Sequence, residues 1–307
     1  MRTLVRAVAV TGIAAAFATP VLRRRFKVPP TATVAATAAG PIGLAILCRR
    51  TKTRDAALFA LQMWGFMVAH ELPYDDPDRL RERLRIQYPI QADRMIGAGV
   101  LPNTRLQRAL ARPRLDVSSL DRLLTWTHWV WFFEPHLSLI YILTTDNPSF
   151  ARAARQMSAA YDLGCATYFA VPTAPPWWAA ENGYTGDDEV ERRMIRVGEE
   201  VWGEKTWDKL YDFFGGNPWA AMPSLHFGAS VLAATLLTET NKGAGAVGWA
   251  YAGTLGIALV YLGEHYVTDL LAGLLLVAVV RGGEPVVEPL ALAFSRGVQR
   301  LEEIAAS

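Results

Sequence analysis

Cysteine is almost absent from this chain. Cys48 and Cys165 both sit inside apolar segments, where they read as buried free thiols; this excludes a disulfide framework and a thiolate metal site. No basic block with interleaved aromatics occurs, so nucleic acid is excluded as a partner. The formal net charge is only +2 over 307 residues and favours no partner of either sign. Strand-like alternation is missing, and so is any repeat of solenoid period. Histidine is scarce, with five residues: His70, His128, His136, His226 and His265.

Apolar residues are abundant, at 51% of the chain, with a mean hydropathy of +0.15. They fall in long runs poor in charge and rich in Ala, Leu, Val and Gly, at 4–22, 31–48, 55–70, 125–143, 150–171, 223–240, 246–263 and 265–280. Runs of this kind predict membrane helices. The expected fold is therefore all-α, a polytopic integral-membrane helical bundle. Ala16-Phe17-Ala18 resembles a signal-peptidase site, but further membrane segments follow, so an uncleaved anchor is expected. Basic clusters at Arg23–Lys27 and Arg49–Lys52 flank the second run on both sides. The positive-inside rule cannot satisfy both, which points to an interfacial position for one of the first two segments.

Two polar stretches interrupt the runs. Residues 75–123 are arginine-rich, with amphipathic surface helices expected at 78–85 and 103–112. Residues 178–221 carry ten carboxylates against five basic side chains. The expected organisation is N-terminal membrane or interfacial helices over 1–72 and a polar amphipathic segment over 73–123. A membrane core follows over 124–282, including the polar loop 178–221, and then a tail over 283–307.

Three chemically loaded segments lie at the ends of expected helices: 172–178, 223–226 and 264–269. The loop 178–221 joins the first two on one side, and the hairpin 223–263 goes away and returns. All three are therefore expected on the same membrane face.

Two of these segments carry histidine. In His265-Tyr266-Val267-Thr268-Asp269 the carboxylate stands one helical turn from the imidazole, on the same side. It can accept the Nδ1–H, fix the tautomer and leave Nε2 as a nucleophile or base. His226, on the facing helix, is placed to protonate a leaving group. Pro223 suits a first helical turn, and Ser224 with the free N–H groups behind it can form an anion site. Nucleophile, acid and anion cradle suit phosphoryl transfer through a phosphohistidine without a metal or other cofactor. Other readings of the same residues stay open: a buried ion pair, a plain N-cap, zinc or haem ligation, or a transporter or scramblase.

Pro223-Ser224-Leu225-His226 resembles the second motif of the type 2 phosphatidic acid phosphatase (PAP2) superfamily. Residues 261–270, Tyr-Leu-Gly-Glu-His-Tyr-Val-Thr-Asp-Leu, resemble its third. The spelling is similar to the branch containing inositol phosphorylceramide synthase and bacterial relatives, as is Pro172-Thr173-Ala174-Pro175-Pro176-Trp177. The likeness covers about residues 125–282. It implies a six-helix core and metal-independent chemistry on a lipid phosphate or phospholipid. It also implies His265 as nucleophile, Asp269 as its orienting partner and His226 as acid.

Other phosphatases of the superfamily carry a Lys and an Arg in the first motif and a Ser-Arg pair before the third-motif histidine. Here the last two positions are Ala258 and Leu259, and 172–178 contains no cation. The expected substrate contacts are therefore Ser224, Pro223, Pro175 and Trp177, with Arg192 and Lys205 from the acidic loop and His136 from the preceding helix. Charge bias places the basic turns at 144–155 and 241–245 and the tail inside, with the acidic loop and site outside. The expected location is the cell membrane.

Overall fold

The structure, a computed structural model, describes residues 1–111, 117–214 and 217–307. Arg112, expected to end an amphipathic helix, lies outside the described residues. Among those described the chain is helical without strands, in two compact units.

The first unit comprises residues 1–76, 140–162 and 279–307. Helices α1 (Arg2–Phe26), α2 (Pro30–Leu47) and α3 (Lys52–Glu71) follow one another closely. Lys27 ends α1 in the left-handed conformation, Pro30 opens α2, and the Thr51 hydroxyl caps α3 by accepting the Arg54 N–H. Small buried residues such as Ala9, Ala16 and Thr37 let these helices approach closely. Ion pairs tie down the remainder: Arg23 to Asp75 at 2.9 Å, Arg54 to Glu302 at 3.1 Å, and Arg155 to Glu284.

The second unit comprises residues 77–139 and 163–278. Its polar segment folds as α4 (Pro77–Arg83), α5 (Gln87–Ile96) and α6 (Pro102–Leu110). The first and third match the expected amphipathic helices; α5 was not expected. The run 125–143 is not one helix. It divides into α7 (Ser119–Val130) and α8 (Glu134–Thr145), because the Pro135 ring cannot follow a helical carbonyl four residues before it. α9 (Asn147–Ala170) ends before the proline-rich segment, and α10 (Pro176–Glu181), α11 (Arg193–Trp202) and α12 (Glu204–Phe214) form the acidic loop. α13 (Leu225–Thr240) and α14 (Lys242–Tyr261) make a hairpin. Asn241 serves both, its side chain accepting the Ala244 N–H at 3.0 Å.

The last helix, α15 (Val267–Ala306), runs beyond the apolar run that ends at residue 280: it continues through Pro285 and Pro289 to residue 306. Ion pairs at Glu284 and Glu302 and the burial of Ala305 against Ala9 and Ile46 fix the added turns.

Among the described residues four helices are long and apolar enough to cross a membrane: α1, α2, α14 and α15. The run at 150–171 carries Arg152, Arg155 and Asp162 within α9, and α13 has only 16 residues, about 24 Å of helix.

A buried ionic cluster joins α7, α11 and α14. Arg193 donates to both Asp121 oxygens at 2.6 and 3.1 Å, and the Tyr261 hydroxyl donates to Asp121 at 2.8 Å. Ser118 and Asp121 form a reciprocal capping box at the start of α7. Burial alone would raise the Asp121 carboxyl, but these hydrogen bonds outweigh it and hold it at about 2.

Candidate active site

The five residues between α14 and α15 form a tight turn. Gly263 there has φ +80°, and a Cβ would meet the Glu191 carbonyl at 2.8 Å. The turn presents His265 at the start of α15. His265 Nδ1 lies 3.2 Å from Asp269 Oδ2, which also accepts the Tyr266 N–H at 2.8 Å. Asp269 is 0% exposed and His265 4%. The i, i+4 relation read from sequence is therefore a formed contact that directs Nε2 outward.

His226, in the first turn of α13, meets it: His226 Nδ1 is 3.1 Å from His265 Nε2. His226 is half-buried, so this ring forms the outer side of the pair. Backbone geometry permits the approach. The Ser224 N–H donates to the Asp269 carbonyl at 2.9 Å, and a Cβ on Gly273 would lie 2.7 Å from the Ser224 carbonyl.

The opening of α13 differs from expectation in detail. Ser224 is the N-cap, fully buried, with its hydroxyl accepting the Phe227 N–H at 3.3 Å. It closes the helix start, where an open anion cradle was expected. Pro223 lies outside the helix after a cis peptide bond, and its carbonyl accepts the Tyr168 hydroxyl at 2.7 Å.

The proline-rich segment reaches the same place. Pro175 is the N-cap of α10, and the Trp177 N–H donates to the Gly263 carbonyl at 3.1 Å. Arg192 lies over the Trp177 ring at 4.2 Å and forks onto Glu264 at 2.7 and 2.9 Å. Burial would raise the Glu264 carboxyl, but the Arg192 charge outweighs it and lowers it. Trp177 and Arg192 are thus one assembly beside the nucleophile candidate. Lys205 is exposed on α12, and no described contact brings it to the histidines.

Two aromatic neighbours of His226 come from α7 and the turn after it. The His128 ring centroid is 4.9 Å from that of His226, and the Trp131 ring 4.1 Å. His128 is buried, with Nδ1 lacking a hydrogen-bond partner. From α8, Glu134 reaches the same helix through the Ser230 hydroxyl at 3.3 Å, and that hydroxyl also donates to the His226 carbonyl. The rings of His128 and Trp131 thus pack on His226, and His136 follows on α8. His128 and Trp131 belong to an aromatic-rich helix end visible in the sequence, where His128 stands beside Glu134 and His136 as a candidate to face the site.

Sequence reasoning missed the polar segment's part. Asp93 on α5 accepts the Val267 and Thr268 N–H groups, both at 2.8 Å, and so caps α15 from more than 170 positions away in sequence. The Asn103 side-chain amide donates to the Val260 and His265 carbonyls at 2.8 and 2.9 Å. Gln107 donates to the Tyr261 and Glu191 carbonyls and accepts the Glu191 N–H. Among the described residues no cluster of three or more His, Cys, Asp or Glu has the arrangement of a metal site.

A helical membrane protein with an Asp–His–His chain at the start of its last helix is defined by these features. The PAP2 superfamily profile matches residues 105–282, more than half of the chain, and the chain belongs to that superfamily. It is also 30% identical over 122 residues to a phosphoinositol dihydroceramide synthase from Bacteroides thetaiotaomicron. That alignment covers 36% of this chain and 38% of the relative, so the chain spans well under half the length of that relative. No solved structure matches. The superfamily and the apolar helices make this an integral membrane protein.

Proposed function

We propose that the chain is a lipid phosphotransferase or phosphatase working through a phosphohistidine. His265 Nε2 attacks phosphorus of a lipid phosphate or phosphodiester, forming an N–P bond as the P–O bond to the leaving alcohol breaks. His226 gives that alcohol its proton. An acceptor alcohol or water then attacks the phosphohistidine, returning its proton to His226 and freeing His265. Asp269 orients His265 and stabilises the charge that develops on it.

The observation that carries this reading is the continuous chain Asp269–His265–His226, with steps of 3.2 and 3.1 Å. In the structure the two imidazoles contact each other, so the phosphoryl group enters by displacing His226 from Nε2. The cations absent from the family's usual positions are replaced in this reading by Arg192, held flat by Trp177 and aimed by Glu264. The name of the Bacteroides relative supports an alcohol acceptor over water. No step calls on a metal. Charge bias supports a site facing outward from the cell membrane.

The test is turnover of radiolabelled phosphatidic acid and phosphatidylinositol by purified protein, with and without chelator. Turnover that survives chelator and vanishes in His265→Ala is expected. Turnover retained in His265→Ala removes the nucleophile assignment, and loss with chelator replaces it with a metal site.

A further inference from the structure

The superfamily match begins at residue 105, after α5 and the start of α6. Two buried polar side chains from before that point grip the backbone around His265. Both Asp93 and Asn103 are 0% exposed. Their four hydrogen bonds to Val260, His265, Val267 and Thr268 span 2.8 to 2.9 Å.

Each answers a local need of the catalytic turn. The first N–H groups of any helix lack intrahelical acceptors, and in α15 the Asp93 carboxylate takes two of them. A carboxylate there also meets the positive end of the helix dipole. In the turn the Val260 carbonyl accepts the Gly263 N–H at 3.2 Å, and one Asn103 amide adds a second donor there and a donor to the His265 carbonyl. A buried donor or acceptor left unpaired forfeits its hydrogen bonds to water and is costly. Apolar packing between the two segments holds the same register, since Ile90 and Leu101 pack with Tyr266, the neighbour of His265.

We propose that Asp93 and Asn103 are positioning residues of the reaction, so that α5 and α6 belong to the catalytic centre. This rests on the reading of His265 as nucleophile. The His265 carbonyl is fixed by Asn103, and the helix that carries Asp269 is fixed by Asp93. The distance from Nδ1 to the carboxylate, and with it the aim of Nε2, is set from outside the turn itself. A misplacement near 1 Å costs on the order of 10²-fold in rate.

The test compares wild type, Asn103→Ala, Asp93→Asn and Met95→Ala in detergent, with labelled phosphatidic acid and phosphatidylinositol. Met95 is on α5 but exposed, and its variant serves as control. Both site variants are expected to lose about 100-fold in kcat with KM unchanged, while the control turns over as wild type. Wild-type kcat in both variants overturns the proposal, as does a loss confined to KM. Should Asn103→Ala fail to fold, the isosteric Asp93→Asn decides alone. Failure of the underlying reading shows separately, as a wild type that turns over neither lipid, and the inference then falls with it.

Discussion

At the scale of single residues, the proposed reaction divides one job among three side chains. Asp269 holds His265, His265 faces His226, and His226 alone of the three is half-buried. Replacing Asp269 by Asn keeps the shape but removes the charge that orients and supports the imidazole. A kcat loss of about 10²–10⁴-fold is expected from Asp269→Asn or from His226→Ala, measured on the same lipid. In the proposed reaction Arg192 serves binding instead. A hydrogen bond to a charged group is worth about 1.5–3 kcal/mol, so Arg192→Ala is expected to raise KM by roughly 10–100-fold with a smaller change in kcat. The His265–Asp269 contact was legible because the two residues are four positions apart, and a helix converts that spacing into contact. The contacts of Asp93 and Asn103 were not, since they span more than 150 positions and no local pattern encodes such a pairing.

At the scale of elements, close packing of α13 on α15 brings the two histidines together. Gly273 has no room for a side chain beside the Ser224 carbonyl. Gly273→Val is expected to cost about 1–3 kcal/mol and to lower kcat, read by thermal unfolding and turnover. The Asp121–Arg193 cluster behind the site is a second joint. Its carboxyl is held below the ordinary aspartate value, so its stabilising contribution is complete at neutral pH. That contribution is lost as pH falls from about 4 towards 2. Asp121→Ala leaves Arg193 buried without its main partner, and a loss of about 3–5 kcal/mol is expected at pH 7. The variant's unfolding curve should also lack the part of the acid sensitivity that Asp121 supplies. Element boundaries were legible where a local stop exists, as at Pro172 after α9. The break before Glu134 was signalled by Pro135 but masked by the apolar character of the whole run. The helical tail was hidden because ion pairs from distant arginines stabilise it, and these have no sequence period.

At the scale of the whole molecule, an apolar framework carries a polar centre built from distant sequence. The second unit brings together the polar segment, the proline-rich turn, the acidic loop and the start of the last helix around one histidine pair. Membrane character and the all-α class were legible from the runs alone. The need for residues before 105 was not, because that stretch reads as a solvated amphipathic surface. The most direct measurement of the central claim is localisation of the phosphoryl group. Protein incubated with ³²P-labelled phosphatidic acid or phosphatidylinositol is quenched in alkali, where phosphohistidine survives, and digested for mass spectrometry. Label on His265, absent in His265→Ala and accumulating in His226→Ala when the second step is the slower, is the expected result. Turnover of the same lipid with no label on His265 at any time point, or label on another residue, would contradict it.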